Sequence, residues 1–160
     1  MDPKNIALFE EFGVLSEAEV RSRYEVKLEK YSKLINIEAR TMRRMLRRQY
    51  LPAISAYAAK IADHITSIKT AMPTLSTQTQ EEHLVRIQQG LDAAKKAYDA
   101  LATKHKEIVE IEDAQEMANA YAHELIPIME TARYEVDQLE ILIPSTDWPV
   151  PSYNKILFYA

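Results

Sequence analysis

Cysteine is absent from this 160-residue chain, and glycine occurs only at Gly13 and Gly90. Without cysteine the chain can form neither a disulfide framework nor a thiolate metal site. Two isolated glycines cannot build a P-loop or a dinucleotide-binding loop, and no Gly-x-Ser-x-Gly motif is present. No stretch approaches the roughly 20 apolar residues of a membrane span, and the first residues lack the apolar core of a signal peptide. We therefore expect a soluble, cytoplasmic protein with no membrane partner.

The balance of charge also narrows the classes of partner. The formal net charge is -4 and the sequence pI is about 5.6. Nucleic-acid-binding domains usually carry a basic excess, so these values argue against a nucleic acid as the general partner. A mass of 18.4 kDa suits one domain, which would bury roughly 70% of the surface that its unfolded chain exposes.

The beginning of the chain carries signals for two helices. A short N-terminal helix is predicted over residues 3–12, between a cap at Asp2 and a stop at Gly13. Ser16 followed by Glu19 forms a capping box, in which the two residues satisfy each other's backbone donors. This box is predicted to begin a second helix, which is long because apolar and tyrosine side chains recur every three or four residues after it.

Three long helices are predicted from this periodicity. The second helix continues to about residue 71 and has a kink or short break at Pro52, because proline lacks an amide donor and crowds the preceding turn. The third helix covers about residues 78–110. The fourth covers about residues 113–143, with a second kink at Pro127. Short connections between helices make neighbours antiparallel, so we predict an all-α, antiparallel up-and-down bundle of long helices.

The end of the chain differs from the bundle predicted for residues 1–143. Residues 144–160 contain "DWPVPSYNKILFYA", with the only tryptophan of the chain. Prolines stiffen an extended segment at low entropic cost, and aromatic side chains supply apolar area. We predict an extended docking tail, either on its own bundle or on a neighbour. Its candidate contact residues are Trp148, Pro149, Pro151, Tyr153 and Phe158.

The predicted register leaves the second helix longer than its companions. If the chain reverses between helices two and three, level residues have numbers that add up to about 149, so Arg40 lies near residue 109. Because the third helix turns back at about residue 111, roughly 20 residues of the second helix would overhang. We expect no partner within the chain for this overhang and propose contact with an absent part of the polypeptide. Its apolar stripe consists of Tyr24, Leu28, Tyr31 and Ile35.

A basic strip follows on the second helix, in "RTMRRMLRR". Its spacing of three and four places five arginines along one side of the helix. They are Arg40, Arg43, Arg44, Arg47 and Arg48. The register predicts ion pairs with acidic residues of the turn between helices three and four, or with a neighbouring subunit. A solvated face and a nucleic-acid site are the alternatives, and the lack of interleaved aromatic residues weighs against the second.

The sequence contains only weak signals for a metal site or a catalytic site. No glutamate is followed three positions later by histidine, as the di-iron bundles require. His64 and His83 are predicted to lie level, where a surface zinc site is conceivable. His105 falls on the apolar seam and is predicted to be a hydrogen-bonded core histidine. We assign no catalytic, cofactor-binding or metal-binding residue to this chain.

Two stretches together resemble one family. "SRYEVKLEKYSKLINIEARTM", residues 22–42, and "DWPVPSYNKILF", residues 147–158, are similar to the C-terminal helical region of type III glutamine synthetases. The resemblance implies a parent enzyme that ligates ammonia to glutamate with ATP and Mg or Mn, and that assembles as a homo-oligomer. It places the metal and nucleotide sites of the family in a preceding catalytic domain. The pair Asn154–Lys155 departs from the small residue and acid expected there.

The function predicted from this resemblance is that of a non-catalytic module. It would form part of a larger polypeptide and contact the catalytic domain and neighbouring subunits. The alternative is a free-standing helical adaptor that binds an acidic protein or a nucleic acid through its arginines.

Overall fold

The computed structural model describes residues 2–151 and 153–158, and every regular element in them is helical. The α-helices are α1 (Pro3–Glu11), α2 (Glu17–Met45), α3 (Leu51–Ala71), α4 (Gln78–Val109), α5 (Ala114–Ala120), α6 (Ile126–Glu140) and α7 (Tyr153–Leu157). Two π-helical segments, Leu46–Tyr50 and Tyr121–Leu125, join α2 to α3 and α5 to α6. The predicted all-α bundle of long helices is confirmed. None of the described helices combines the length and the apolar run that crossing a membrane requires.

The predicted helix starts and stops are confirmed at the N-terminus. The Asp2 side chain accepts a hydrogen bond from the Lys4 amide at 3.0 Å, and Gly13 ends α1 with a φ of 64°. At the start of α2, the Ser16 amide donates to Glu19 Oε2 at 2.9 Å. The Glu19 amide in turn donates to Ser16 Oγ at 3.4 Å. Both halves of the capping box are therefore formed, as this local pattern predicted.

Pro52 and Pro127 do not break their helices. Each proline comes directly after a π-helical segment and one further residue, so that α2–α3 and α5–α6 are two continuous helical columns. In each, the residue before proline donates its amide five positions back, from Leu51 to Leu46 and from Ile126 to Tyr121. Of the predicted kink or short break at Pro52, the structure shows no break. The irregularity at both prolines is a π-helical turn, whose wider backbone accommodates a ring that would otherwise meet the carbonyl of the preceding α-helical turn.

The two columns run parallel to each other, and α4 runs antiparallel and packs against both. The register on the α2 side matches the prediction, since Arg43 lies beside His105. On the other side, Gly90 of α4 meets Leu139 of α6 so closely that a Cβ at Gly90 would lie 2.5 Å from Leu139 Cδ2. The core between the columns is built from apolar side chains that recur every three or four residues along the long helices, among them Ile54, Ile87, Leu101, Ile108, Tyr121, Leu125 and Leu139.

The C-terminal segment is less extended than predicted. After α6 the chain makes turns in which Ile143 and Trp148 are buried, and it then forms the short helix α7. Prolines at 149 and 151 prevent a helix there, because neither can donate a backbone hydrogen bond. Beyond Pro151 that restriction ends, and the chain winds into α7.

Candidate interaction surfaces

The apolar stripe at the start of α2 is largely covered by the chain itself. Ile35 is buried, and Tyr24, Leu28 and Tyr31 are half-buried. The cover is α5, which packs along α2. The Tyr24 hydroxyl donates to Gln115 Oε1 on α5. The expectation that this stripe has no partner within the chain is therefore wrong.

The connection between α4 and α5 explains why α5 can cover the start of α2. Residues 111–113 are non-helical. An extended chain advances about 3.3 Å per residue, more than twice the rise of a helix. The connection therefore carries the chain past the end of α4 before α5 begins, and α5 reaches the stripe. Helix α1 also packs back on α2, and the Glu17 amide donates to Glu10 Oε1 at 3.0 Å.

Other apolar side chains of α2 do lie on the surface. Val26, Leu34 and Ile37 are 61%, 54% and 61% exposed. Periodicity did not point to them, because they lie off the stripe that it identified.

The arginine strip has no carboxylate partner in the described residues. Arg40, Arg44, Arg47 and Arg48 are exposed, and Arg43 is half-buried. No Asp or Glu oxygen of the described residues lies within 4.0 Å of any of the five guanidinium groups. The predicted pairing within the chain is therefore not seen in this part of it. The connection that carries the chain toward the start of α2 also takes Glu112 and Asp113 away from the strip. Pairing with a neighbouring subunit stays a prediction.

Arg43 instead belongs to a polar cluster between α2 and α4. Its Nη1 donates to His105 Nδ1 at 2.7 Å. Because arginine can only donate, Nδ1 must accept, and Nε2–H of His105 then donates to Asn36 Oδ1 at 2.7 Å. Burial lowers the pKa of His105, and the charges of Arg43 and Arg40 lower this pKa further. The prediction of a hydrogen-bonded core histidine is confirmed.

A surface groove of about 700 Å³ lies between α2 and α6. Its floor is apolar and is formed by Met42, Met45, Leu46, Ile126, Met129, Ala132 and Val136. Polar side chains line its rim, namely Glu38, Thr41, Glu130, Arg133 and Asp137. Exposed Ile37 extends the apolar surface at the rim. The sequence does not predict this groove, because it lies between helices that are distant in the chain and whose relative placement periodicity does not give.

The first half of the tail docks on its own bundle. Trp148 is only 7% exposed, and its ring lies 5.3 Å from that of Tyr50 at an angle of 47°. Lys60 forms an ion pair with Asp147. Burial raises the pKa of Tyr50, and the charges of Glu140 and Asp137 raise it further. Of the two predicted alternatives, the first half of the tail therefore packs on its own bundle.

The second half of the tail remains on the surface. Leu157 and Phe158 are 70% and 80% exposed, and Pro149 and Pro151 are also exposed. The side chain of Tyr153 lies outside the described residues. Docking of this half on another surface stays a prediction.

His64 and His83 line one shallow pocket, as the register predicted. Tyr57 meets His83 there, with its hydroxyl 3.2 Å from His83 Nε2 and the two rings edge to face. Across residues 2–151 and 153–158, no group of three or more His, Cys, Asp or Glu side chains is placed to hold a metal ion.

The chain matches known proteins along nearly its whole length. Residues 1–69 match the family model described as the glutamine synthetase C-terminal domain. The chain is 32% identical to a type-3 glutamine synthetase from Dictyostelium discoideum over 97% of its length. It is 29% identical to a glutamine synthetase from Butyrivibrio fibrisolvens over 97% of its length, and 26% identical to one from Bacteroides fragilis (strain YCH46) over 91%.

These relatives are much longer proteins. The matched region covers 22%, 22% and 20% of the three relatives, so the chain spans about a fifth of their length. The predicted resemblance to the C-terminal helical region of the type III glutamine synthetases is confirmed.

Proposed function

We propose that this chain, a glutamine synthetase C-terminal domain by its resemblance, acts as a non-catalytic helical module that couples a catalytic domain to neighbouring subunits. The parent protein would ligate ammonia to glutamate in the cytoplasm, with ATP and Mg or Mn bound to its catalytic domain. The module would hold no cofactor of its own. Its contribution would be to support assembly of a homo-oligomer.

The observation that carries this proposal is the open apolar groove between α2 and α6. Its floor includes Met42, Met45 and Met129, which are only half-buried. Burying apolar surface contributes about 25 cal/mol per Å², so such a floor favours a protein surface that would cover it. Unbranched methionine side chains adapt to the shape of a partner. Exposed Leu157 and Phe158 add a second apolar surface that another domain could cover.

The roles of the polar residues also support a structural module. Glu19 caps α2, Glu81 binds Lys69 and Thr77, and Glu124 pairs with Lys104 at 3.1 Å. His105 is buried between Asn36 and Arg43. These four side chains thus cap or join helices.

A groove variant of the parent enzyme tests the proposal. Ile37→Glu would place a charge at an exposed apolar position that lines the groove, where a docked surface would have to desolvate it. We expect this variant to lose oligomer in light scattering, together with synthetase activity measured as glutamine formation with ATP and magnesium. The matched control is Ile141→Glu, at a position that is 80% exposed and does not line the groove.

Two results would contradict the proposal. One is an Ile37→Glu parent that assembles and turns over like the Ile141→Glu control. The other is glutamine formation by the 160-residue chain alone, because a non-catalytic module cannot produce it.

The arginine strip is the basis for a second candidate function, that of a helical adaptor for an acidic protein or a nucleic acid. It is favoured by the lack of carboxylate partners around the strip in the described residues. Binding of duplex DNA or RNA that weakens steeply with salt would support it. Failure to bind either duplex at low salt would remove the nucleic-acid form of this function.

A further inference from the structure

We propose that the arginine strip of one copy of this chain pairs with the acidic segment of a second copy, in a two-fold symmetric contact. The acidic segment consists of Glu110, Glu112, Asp113 and Glu116. The inference rests on the proposed subunit-coupling role and specifies the surfaces that would carry it.

The arginine strip belongs to a stretch of the sequence that contains no acidic residues. No acidic residue occurs between Glu38 and Asp63, a stretch that includes all five arginines. Four of the five are exposed. Arg43, the fifth, is held by His105 at 2.7 Å and so fixes the middle of the strip to α4.

The acidic segment is the counterpart of the strip. No lysine or arginine occurs between Lys106 and Arg133. All four side chains of the segment are exposed. No Lys or Arg nitrogen of the described residues lies within 4.0 Å of their carboxylates. Neither surface therefore forms an ion pair within the described part of its own chain.

Both surfaces follow the same ridge of α2. Glu112 lines a small pocket with Ser32 and Asn36. Residues 32, 36, 40, 43 and 47 follow one another at steps of four, four, three and four, the spacing of a single helical ridge. The acidic segment thus lies along the ridge that carries Arg40, Arg43 and Arg47 further on.

Along this ridge the two surfaces are displaced. The strip is centred near residue 44, whereas Glu112 and Asp113 of the acidic segment lie beside about residue 28 of α2. Sixteen helical residues correspond to about 24 Å. A second copy related by a two-fold axis between the surfaces would run antiparallel. It would place its acidic segment on the first strip and its strip on the first acidic segment, as an isologous interface requires.

A contact between two surfaces that each carry several charges can be stabilised more than a contact made of one isolated ion pair. A single exposed ion pair contributes little, but several charges facing each other form a network. Complementary surfaces also orient the encounter and select the partner. The contact should weaken as salt rises, because screening acts on exposed charges.

Charge exchange between copies tests the inference directly. The association of the 160-residue chain is measured by sedimentation at about 0.05 M and about 0.5 M NaCl. We expect a dimer at low salt whose dissociation constant rises with salt. Arg44→Glu with Arg47→Glu should raise that constant at least about tenfold, and so should Glu112→Arg with Glu116→Arg. Asp113 is left unchanged because it caps α5.

The decisive sample is an equimolar mixture of the two double variants. In their heterodimer the substituted glutamates face the substituted arginines, and the unchanged strip faces the unchanged acidic segment. In each homodimer, by contrast, the substituted residues face side chains of their own sign. We expect the mixture to associate more tightly at low salt than either variant does alone. Lys95→Glu with Lys96→Glu, on exposed positions of α4, is the matched control and should dimerise like the original chain. Circular dichroism melts verify that each variant is folded.

Several outcomes would overturn the inference. A chain that is monomeric at low salt, double variants that dimerise normally, or a mixture that stays monomeric would each do so. So would loss of duplex RNA binding in Arg44→Glu with Arg47→Glu while dimerisation is unchanged, because the strip would then serve a nucleic acid. These results are separate from the parent assay: restored association in the mixture supports this contact even if Ile37→Glu leaves the parent enzyme intact.

Discussion

Arg43 Nη1 lies 2.7 Å from His105 Nδ1, across the interface between α2 and α4. The contact ties α4 to α2 at one register, because Arg43 and Asn36, both on α2, hold the imidazole ring of His105 from its two nitrogen atoms. It also fixes the protonation state of the histidine. A neutral imidazole can accept from the guanidinium group, whereas an imidazolium cannot.

The stability of the chain should therefore fall in mild acid. The pKa of His105 is lowered in the folded state from its ordinary value of 6.5. The unfolded state then binds the proton first, so the stabilisation is present above pH 6.5 and is lost as the pH falls below it. The loss ends once folded His105 is protonated as well. Urea unfolding between about pH 7.5 and about pH 5 measures the effect.

His105→Gln is the control for this pH dependence. The variant lacks the titrating group, so its free energy of unfolding should change less between these two pH values than that of the original chain. His64, His83 and His123 are common to both proteins and cancel in the comparison. An identical pH dependence in the two proteins would contradict the assignment.

Trp148→Ala should destabilise the bundle by about 3 kcal/mol, because it removes a large buried ring that packs on Tyr50. Trp148→Phe should cost much less, since the indole Nε1 of Trp148 is buried without a hydrogen-bond partner in the described residues. Unfolding is followed by circular dichroism, since these variants lack the only tryptophan of the chain.

Phe158→Ala lies in the same tail and is the matched comparison for Trp148→Ala. Phe158 is 80% exposed, so its removal should change the free energy of unfolding by less than about 0.5 kcal/mol. Equal effects at the two positions would show that Trp148 is not docked on the bundle.

Gly90→Ala should destabilise the contact between α4 and α6. Alanine gains about 1 kcal/mol over glycine from helix propensity. Its Cβ, however, would lie 2.5 Å from Leu139 Cδ2 and 2.9 Å from Leu139 Cγ. Because Leu139 is only 1% exposed, it has little room to move, and overpacking of this kind costs about 1 to 3 kcal/mol. We expect a net loss of about 1 kcal/mol by chemical denaturation.

A second substitution separates this clash from other effects. In the Leu139→Ala background the methyl group added by Gly90→Ala no longer meets the leucine side chain, so the substitution should become stabilising there. If Gly90→Ala has the same effect in both backgrounds, the close approach of the two helices is not what determines it.

Tyr24→Phe should loosen the cover that α5 places over α2. The hydroxyl of Tyr24 donates to Gln115 Oε1, and a hydrogen bond of this kind contributes about 0.5 to 1.5 kcal/mol. A double-mutant cycle with Gln115→Ala measures the coupling energy, which should be positive. Faster amide hydrogen exchange in α5 of the Tyr24→Phe variant would accompany it.

Tyr134→Phe is the control, because Tyr134 is 60% exposed. It should leave both the stability and the exchange of α5 unchanged. A coupling energy of zero between Tyr24 and Gln115 would indicate that α5 does not cover the start of α2. The predicted overhang of α2 would then be correct.

The features that the sequence predicted correctly are local or periodic. Asp2, Gly13 and the Ser16–Glu19 box act within one helical turn, so their residue types alone specify where helices begin and end. The burial of Ile87 and Leu139 follows from a spacing of three and four. The buried, hydrogen-bonded environment of His105 followed from its position on the same kind of seam.

The sequence by itself thus determined the helices, their buried faces and the resemblance to the glutamine synthetases. Only the tertiary structure decided that α5 reaches the start of α2, because the advance of residues 111–113 depends on backbone angles that the residue types leave open. The same displacement separates the arginine strip from the acidic segment. The groove between α2 and α6, likewise, exists only once two helices distant in the chain are placed side by side, since periodicity describes one helix at a time.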